Sequence, residues 1–161
     1  MPDIMSPGDW TMQAGYRMSS EIAVSYVERA AIEQLLGDFA WYADRGEGLS
    51  LAGLFMPDGV LVVGGQELHG RELIAADCHR RGIGSTRKTR HVWSNLRIGR
   101  READTLETTA VQLTIEQADP SLPDAQVRVN DLFDTLRQDP NGAWRFARRV
   151  ISREMALRIG K

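Results

Sequence analysis

The chain has 161 residues, 42% of them hydrophobic, with 20 basic and 22 acidic side chains for a formal charge of −2. That length supports one domain with a full core and leaves no room for a second. Basic clusters at Arg80-Arg81, Arg87-Lys88-Arg90 and Arg97 to Arg101 are answered by nearby acids and lack interleaved aromatics, which argues against nucleic-acid binding.

Cys78 is the only cysteine, so an intrachain disulfide is excluded and a reducing compartment, by default the cytoplasm, is expected. Met1 to Val24 has neither the basic-then-apolar order of a signal peptide nor the apolar length of a membrane span. It reads as an N-terminal arm over 1–24, either loosely held or anchored through Trp10 or Tyr16 on a neighbouring subunit or a cavity mouth. One domain follows over 25–155, with a short tail at 156–161.

The first helix starts near Ser25, where Ser25 and Glu28 stand three apart as a capping box. Ala31, Ile32, Leu35, Phe39 and Tyr42 recur at helical spacing, and the helix should end near Gly46. A short second helix is expected around Ser50 to Phe55, then a turn at Pro57-Asp58-Gly59 and a strand over Val60 to Val63 that Gly64-Gly65 closes. Those glycines lack the downstream pattern of a phosphate loop. A third helical stretch covers 71–81.

Beyond it the pattern changes to period two, with strands at about 89–99, 104–117, 125–138 and 143–153. Asp139-Pro140-Asn141-Gly142 joins the last two as a hairpin. Short connections make these strands antiparallel. Helices first and strands later give an α+β class, with helices covering one face of a curved sheet.

Alternation then assigns faces. In Lys88-Thr89-Arg90-His91-Val92-Trp93-Ser94-Asn95-Leu96, the residues His91, Trp93 and Asn95 share one face, a polar lining that a plain core would not satisfy. Val92, Leu96 and Ile98 take the other face with Ser94 and form an apolar stripe that a second copy of the chain would cover. Asp131 falls in a row with Val127, Val129 and Phe133, and Arg148 in a row with Trp144, Phe146 and Val150. These lone charges either pair across the strands or bind substrate. Asp44 stands where the first helix ends and the macrodipole disfavours a carboxylate, with Glu47 adding to the effect; either acid could instead cap the next helix.

Trp41-Tyr42-Ala43-Asp44, Leu54-Phe55-Met56-Pro57-Asp58-Gly59, Gly70, Thr89-Arg90-His91 with Asn95, and Asn141-Gly142-Ala143-Trp144-Arg145-Phe146 occur in an order that resembles the SnoaL-like superfamily over about 25–153. The resemblance implies a cone-shaped, cystatin-like α+β roll, shared with nuclear transport factor-like proteins, scytalone dehydratase, bile-acid dehydratase and ketosteroid isomerase. In the two dehydratases an acid after the first helix works with a histidine on this strand, roles that fall here on Asp44 and His91. Their second pocket acid or histidine would fall near Val111, which is apolar. Their carbonyl-polarising tyrosine is replaced by Phe39 or Ala43, with Tyr42 a displaced candidate.

The expectation is therefore a lyase that needs no cofactor or metal, using Asp44 and His91 for dehydratase-type elimination on a small aromatic or polycyclic hydroxylated substrate. Phe39, Tyr42 and Trp93 would pack on the rings, and Asn95, Asp131 and Arg148 would fix polar substituents. Carbon–carbon cleavage would use the same base. Two other classes stay open: a non-catalytic assembly subunit like the small subunit of ring-hydroxylating dioxygenases, and an isomerase or epoxide hydrolase with Asp44 or Asp131 as base. His69, His79 and His91 lack metal-ligand spacing, and Cys78 has no base spaced to serve it. A homodimer or homotrimer is expected.

Overall fold

The computed structural model describes residues 23–83 and 85–160. The arm, with Trp10 and Tyr16, lies outside the described residues apart from its last two, of which Val24 packs against the core. Helix α1 spans Tyr26–Arg45. Ser25 Oγ accepts from the Glu28 N–H at 3.2 Å and the Glu28 carboxylate accepts from the Ser25 N–H at 2.9 Å, the reciprocal capping box. The helix ends at Gly46, which takes the left-handed φ of 68° that glycine adopts without a Cβ penalty.

Helix α2 covers Gly48–Gly53, β1 Phe55–Val63, β2 Gln66–His69 and α3 Gly70–Gly82. The long strands are β3 Lys88–Glu102, β4 Thr105–Gln117, β5 Ala125–Gln138 and β6 Trp144–Ile159. β6 thus continues into the stretch expected as a tail. Gly64 and Gly65, with φ of 60° and 78°, form the two-residue turn of a β1–β2 hairpin. β2 went unforeseen because four residues carry little periodicity.

The curved sheet runs β2-β1-β6-β5-β4-β3. β3 to β6 are antiparallel, as their short connections require, whereas β1 joins β6 in parallel. α1 packs across β3, and α3 across β1 and α2. The core they enclose is built from Ile32, Leu36 and Phe39 of α1, Leu51, Phe55, Ile74, and Leu106, Leu132, Leu136 and Phe146 of the sheet.

Bulges in β3 and β6 decide which side chains enter this core. In β3, Ser94 pairs with Val111 and Arg97 with Thr109, so three steps on one strand answer two on the other. The extra residue sits at Asn95, whose φ of 55° is a left-handed conformation that asparagine tolerates. Past it the alternation inverts: Leu96 and Ile98 turn inward onto the core, and the outward apolar stripe expected from them with Val92 does not form. In β6, Thr135 pairs with Arg148 but Leu136 with Phe146, which makes Ala147 the extra residue. The inward row is therefore Trp144, Phe146, Arg149 and Ile151 rather than one containing Arg148 and Val150.

Candidate active site

Asp44 lies in the last turn of α1, two residues before its glycine cap, and His91 faces it from β3. His91 Nδ1 is 2.7 Å from Asp44 Oδ1, and the His91 backbone N–H donates to the two carboxylate oxygens at 3.1 and 3.3 Å. These donors offset the unfavourable helix-end potential and explain how a carboxylate persists there. The capping alternative is excluded by geometry, because Glu47 holds the N-cap position of α2 and no side chain makes a capping hydrogen bond there. With Asp44 accepting from Nδ1–H, the basic lone pair of the neutral ring is on Nε2. The pair is nearly enclosed, with side chains 16% and 6% exposed for His91 and Asp44.

Both residues line a cavity of about 730 Å³ between the helices and the concave sheet. Phe39, Leu51, Leu61, Ile74 and Ile151 supply its apolar part. The wall beside His91 is polar. Thr114 is the direct cross-strand partner of His91, and Gln112 and Asn130 flank it; all three are buried. Asn130 Nδ2 donates to Thr114 Oγ1 at 3.2 Å, and Gln112 Nε2 donates to the same oxygen at 3.5 Å. Two incoming bonds fill the acceptor capacity of the Thr114 hydroxyl and leave its O–H as a donor for a bound ligand. The cue for this wall was the period-two spacing of Gln112, Thr114 and Glu116 in β4.

Of the other expected site residues, Phe39 lines the cavity and Tyr42 packs against the core beside it without reaching the lining. Trp93 shares the His91 face but is covered by α1, and lines a shallow groove on the far side of that helix with Trp41 and Arg90. Asn95 is exposed on its bulge. Asp131 lies on the outer face, because Asn130, Leu132 and Asp134 are the inward members of β5. Arg148 is also outside and pairs with Glu67 at 2.8 Å. Val111 faces outward, and Gln112 is the inward residue at that level.

The buried acid–base pair of β5 and β6 is Asp134 with Arg149, three residues beyond the expected Asp131 and one beyond the expected Arg148. Their side chains are 0% and 1% exposed and approach at 3.2 Å. The Arg149 guanidinium carbon lies 4.2 Å from the Phe39 ring centre and 4.4 Å from that of Phe146. Burial pushes the Asp134 carboxyl up to about 6, against the opposing pull of Arg149 and the Thr108 hydroxyl, which donates at 3.2 Å. This pair fixes the floor on which Phe39 rests.

Cys78 lines the cavity, but burial raises its thiol above the usual value and keeps it protonated. His69 and His79 are exposed. Among the described residues no three His, Cys, Asp or Glu side chains converge as a metal site requires. No helix among them is long and apolar enough to cross a membrane.

The model of the SnoaL-like domain family matches residues 25–150. Among solved structures, a putative scytalone dehydratase from Novosphingobium aromaticivorans is 25% identical with a TM-score of 0.71, over 81% of this chain and 87% of that one. A second protein of that organism, described as NTF2-like with a cystatin-like fold, is 26% identical with a TM-score of 0.64, over 76% and 79%. A Catenulispora acidiphila protein solved in complex with S-DNPA shares the fold at 20% identity and a TM-score of 0.69, over 80% and 95%. No curated protein sequence matches the chain.

Proposed function

The chain belongs to the SnoaL-like domain family, and from that premise we propose that it is a lyase that eliminates water from a small hydroxylated aromatic or polycyclic substrate. The observation that carries this reading is the 2.7 Å contact between Asp44 and His91 on the wall of a cavity that is apolar along Phe39, Leu51, Leu61, Ile74 and Ile151 and polar beside the base. The resemblance to a protein described as a putative scytalone dehydratase is in keeping with it.

In this mechanism Nε2 of His91 removes a proton from a carbon next to a substrate carbonyl, and Asp44 stabilises the imidazolium that forms. The Thr114 hydroxyl, with Gln112 beside it, donates to the carbonyl oxygen as negative charge develops there. The C–O bond to the β-hydroxyl then breaks, a carbon–carbon double bond forms, and the proton on His91 leaves with the hydroxyl as water. A positioned base of this kind contributes on the order of a hundred- to ten-thousand-fold. Asp131, one of the bases an isomerase reading required, lies outside the cavity.

Aromatic β-hydroxy ketones, followed by the absorbance of the conjugated product, test the proposal. His91→Ala should abolish turnover and leave the thermal midpoint within a few degrees; turnover retained by that variant overturns it.

The assembly surface in this reading is the outer sheet face. The register sets Val92, Leu113, Val129 and Met155 side by side across β3 to β6, with Ile115, Val127 and Leu157 in the adjoining row. A second copy of the chain is the proposed cover. Sedimentation of the wild type as a monomer, or of Val129→Asp as an unchanged oligomer, overturns that assignment.

A further inference from the structure

The cavity is unevenly charged in a way the elimination chemistry does not use. Arg80 and Arg81 both hold Asp77, His91 holds Asp44, and Arg87 and Arg128 share Glu116 at 3.3 and 2.6 Å. Lys88, Arg90 and Arg153 also line the cavity or its rim, and none of them has a carboxylate within ion-pair distance among the described residues. The apolar lining residues Phe39, Leu51, Leu61 and Ile74 are buried, whereas Lys88, Arg90 and Arg153 are exposed, so the unanswered positive charge gathers on the solvent side of the cavity. Low-dielectric walls around such a cluster strengthen its field at the opening.

Strand register fixes where that charge stands relative to the base. His91 pairs with Thr114, and Thr114 with Arg128, so the three form one cross-strand row. In the next row Gln112 pairs with Asn130, and Asn130 with Arg153. Arg128 is therefore two strands from His91, about 10 Å at ordinary strand spacing. Arg128 and Arg153 flank Asn130 on the concave wall, and Glu116 is the carboxylate that answers Arg128.

We propose that the substrate of this cavity carries an anionic group, held on the solvent side by Arg153 and Arg128 while its ring system lies against Phe39 and its reacting carbon reaches His91. The anion is a carboxylate or a phosphate ester, and it takes over part of the role of Glu116 toward Arg128. This rests on the reading above only in taking the cavity as the substrate site.

Calorimetric titration of the full chain with 2-naphthoate and with 2-naphthamide, a neutral ligand of nearly the same shape, tests it. Naphthoate should bind about tenfold tighter at low salt, the worth of one partly screened ion contact. The gap should shrink as salt shortens the screening length. Arg153→Gln should reduce the preference, and Glu116→Gln, which frees Arg128 and Arg87, should increase it. A parallel titration with 2-naphthyl phosphate decides between the two anions, the tighter binder naming the class. Equal affinities, a preference for the amide, no binding of either ligand at millimolar concentration, or a preference untouched by Arg153→Gln overturns the proposal. The affinity ratio involves no turnover and the His91→Ala test involves no substrate charge, so the two readings fail separately.

Discussion

Arg149 lies over Phe39, its guanidinium carbon 4.2 Å from the ring centre, so the aromatic floor of the cavity is held by a fully buried cation. That cation depends in turn on Asp134, which approaches at 3.2 Å without hydrogen-bond alignment, leaving Arg149 Nε and Nη1 with no bonded partner. A buried ion pair of this quality sits close to balance between desolvation and attraction.

Asp134 therefore carries a pH signature. Its carboxyl is raised from 3.8 to about 6 in the folded chain, so folding takes up a proton between those values. The contribution of a raised acid is fully present below its unfolded pKa and is lost as pH climbs through the folded one. The unfolding free energy of the wild type relative to Asp134→Asn should fall as pH rises from about 4 to about 7. Parallel denaturant titrations across that range measure it. A difference that is flat or rises with pH refutes the assignment.

Asp44→Asn separates charge from shape at the acid–base pair. The asparagine oxygen can still accept from the His91 backbone N–H, but its amide would donate to Nδ1 and move the imidazole proton to Nε2. The basic lone pair then faces away from the cavity. Turnover should drop by about a hundredfold or more. Nitrogen-15 shifts of the imidazole should report the Nε2–H tautomer while the thermal midpoint moves little. An unchanged tautomer would show that Asp44 does not set it.

How far the sequence foretold this site follows from where the bulges fall. Asp44 and His91 were legible because the first is a carboxylate at a helix end and the second precedes the bulge at Asn95, so simple alternation still held. Asp131 and Arg148 were misplaced by one register step or more. On β6 the cause is Ala147, an inserted residue that leaves hydrophobic periodicity looking continuous while flipping the side chains from Arg148 up to a second bulge at Glu154. Asp131 and Arg148 do not pair across the strands, Arg148 meeting Glu67 instead, and the buried pair of β5 and β6 is formed by Asp134 and Arg149, which the sequence reading did not single out. Helix ends were legible for the opposite reason: Ser25, Glu28 and Gly46 act through local backbone bonds that no distant strand can shift.

Glu28 joins the first helix to the sheet. Its carboxylate accepts from the Ser25 N–H and also meets Arg100 of β3, and the Arg100 hydrogen bond holds it below the usual carboxylate value. The stability it supplies is present above the unfolded pKa and is lost as pH falls through the lowered folded one. Glu28→Ala should cost about 1 kcal/mol or more, from the cap and the cross-element pair together. That cost should diminish in acid, below about pH 4. A cost that is the same at pH 3 and pH 7 would assign the effect to packing instead.

Gly48 opens α2 where that helix meets α3. A Cβ built on it would lie 2.3 Å from the Ala75 carbonyl oxygen and 3.1 Å from its carbon, both backbone atoms that no rotamer change can move aside. Gly48→Ala must therefore push α2 away from α3, and overpacking of this kind costs about 1 to 3 kcal/mol. Leu51 of α2 and Ile74 and Cys78 of α3 line the cavity, so the displacement also widens the wall opposite His91. A lowered midpoint in thermal unfolding, together with weaker naphthoate binding, is the expected result. Gly53→Ala is the control, because nothing lies within 4 Å of a Cβ built there and its stability should be unchanged or slightly raised. Equal effects of the two substitutions would mean that the contact with Ala75 does not require glycine at position 48.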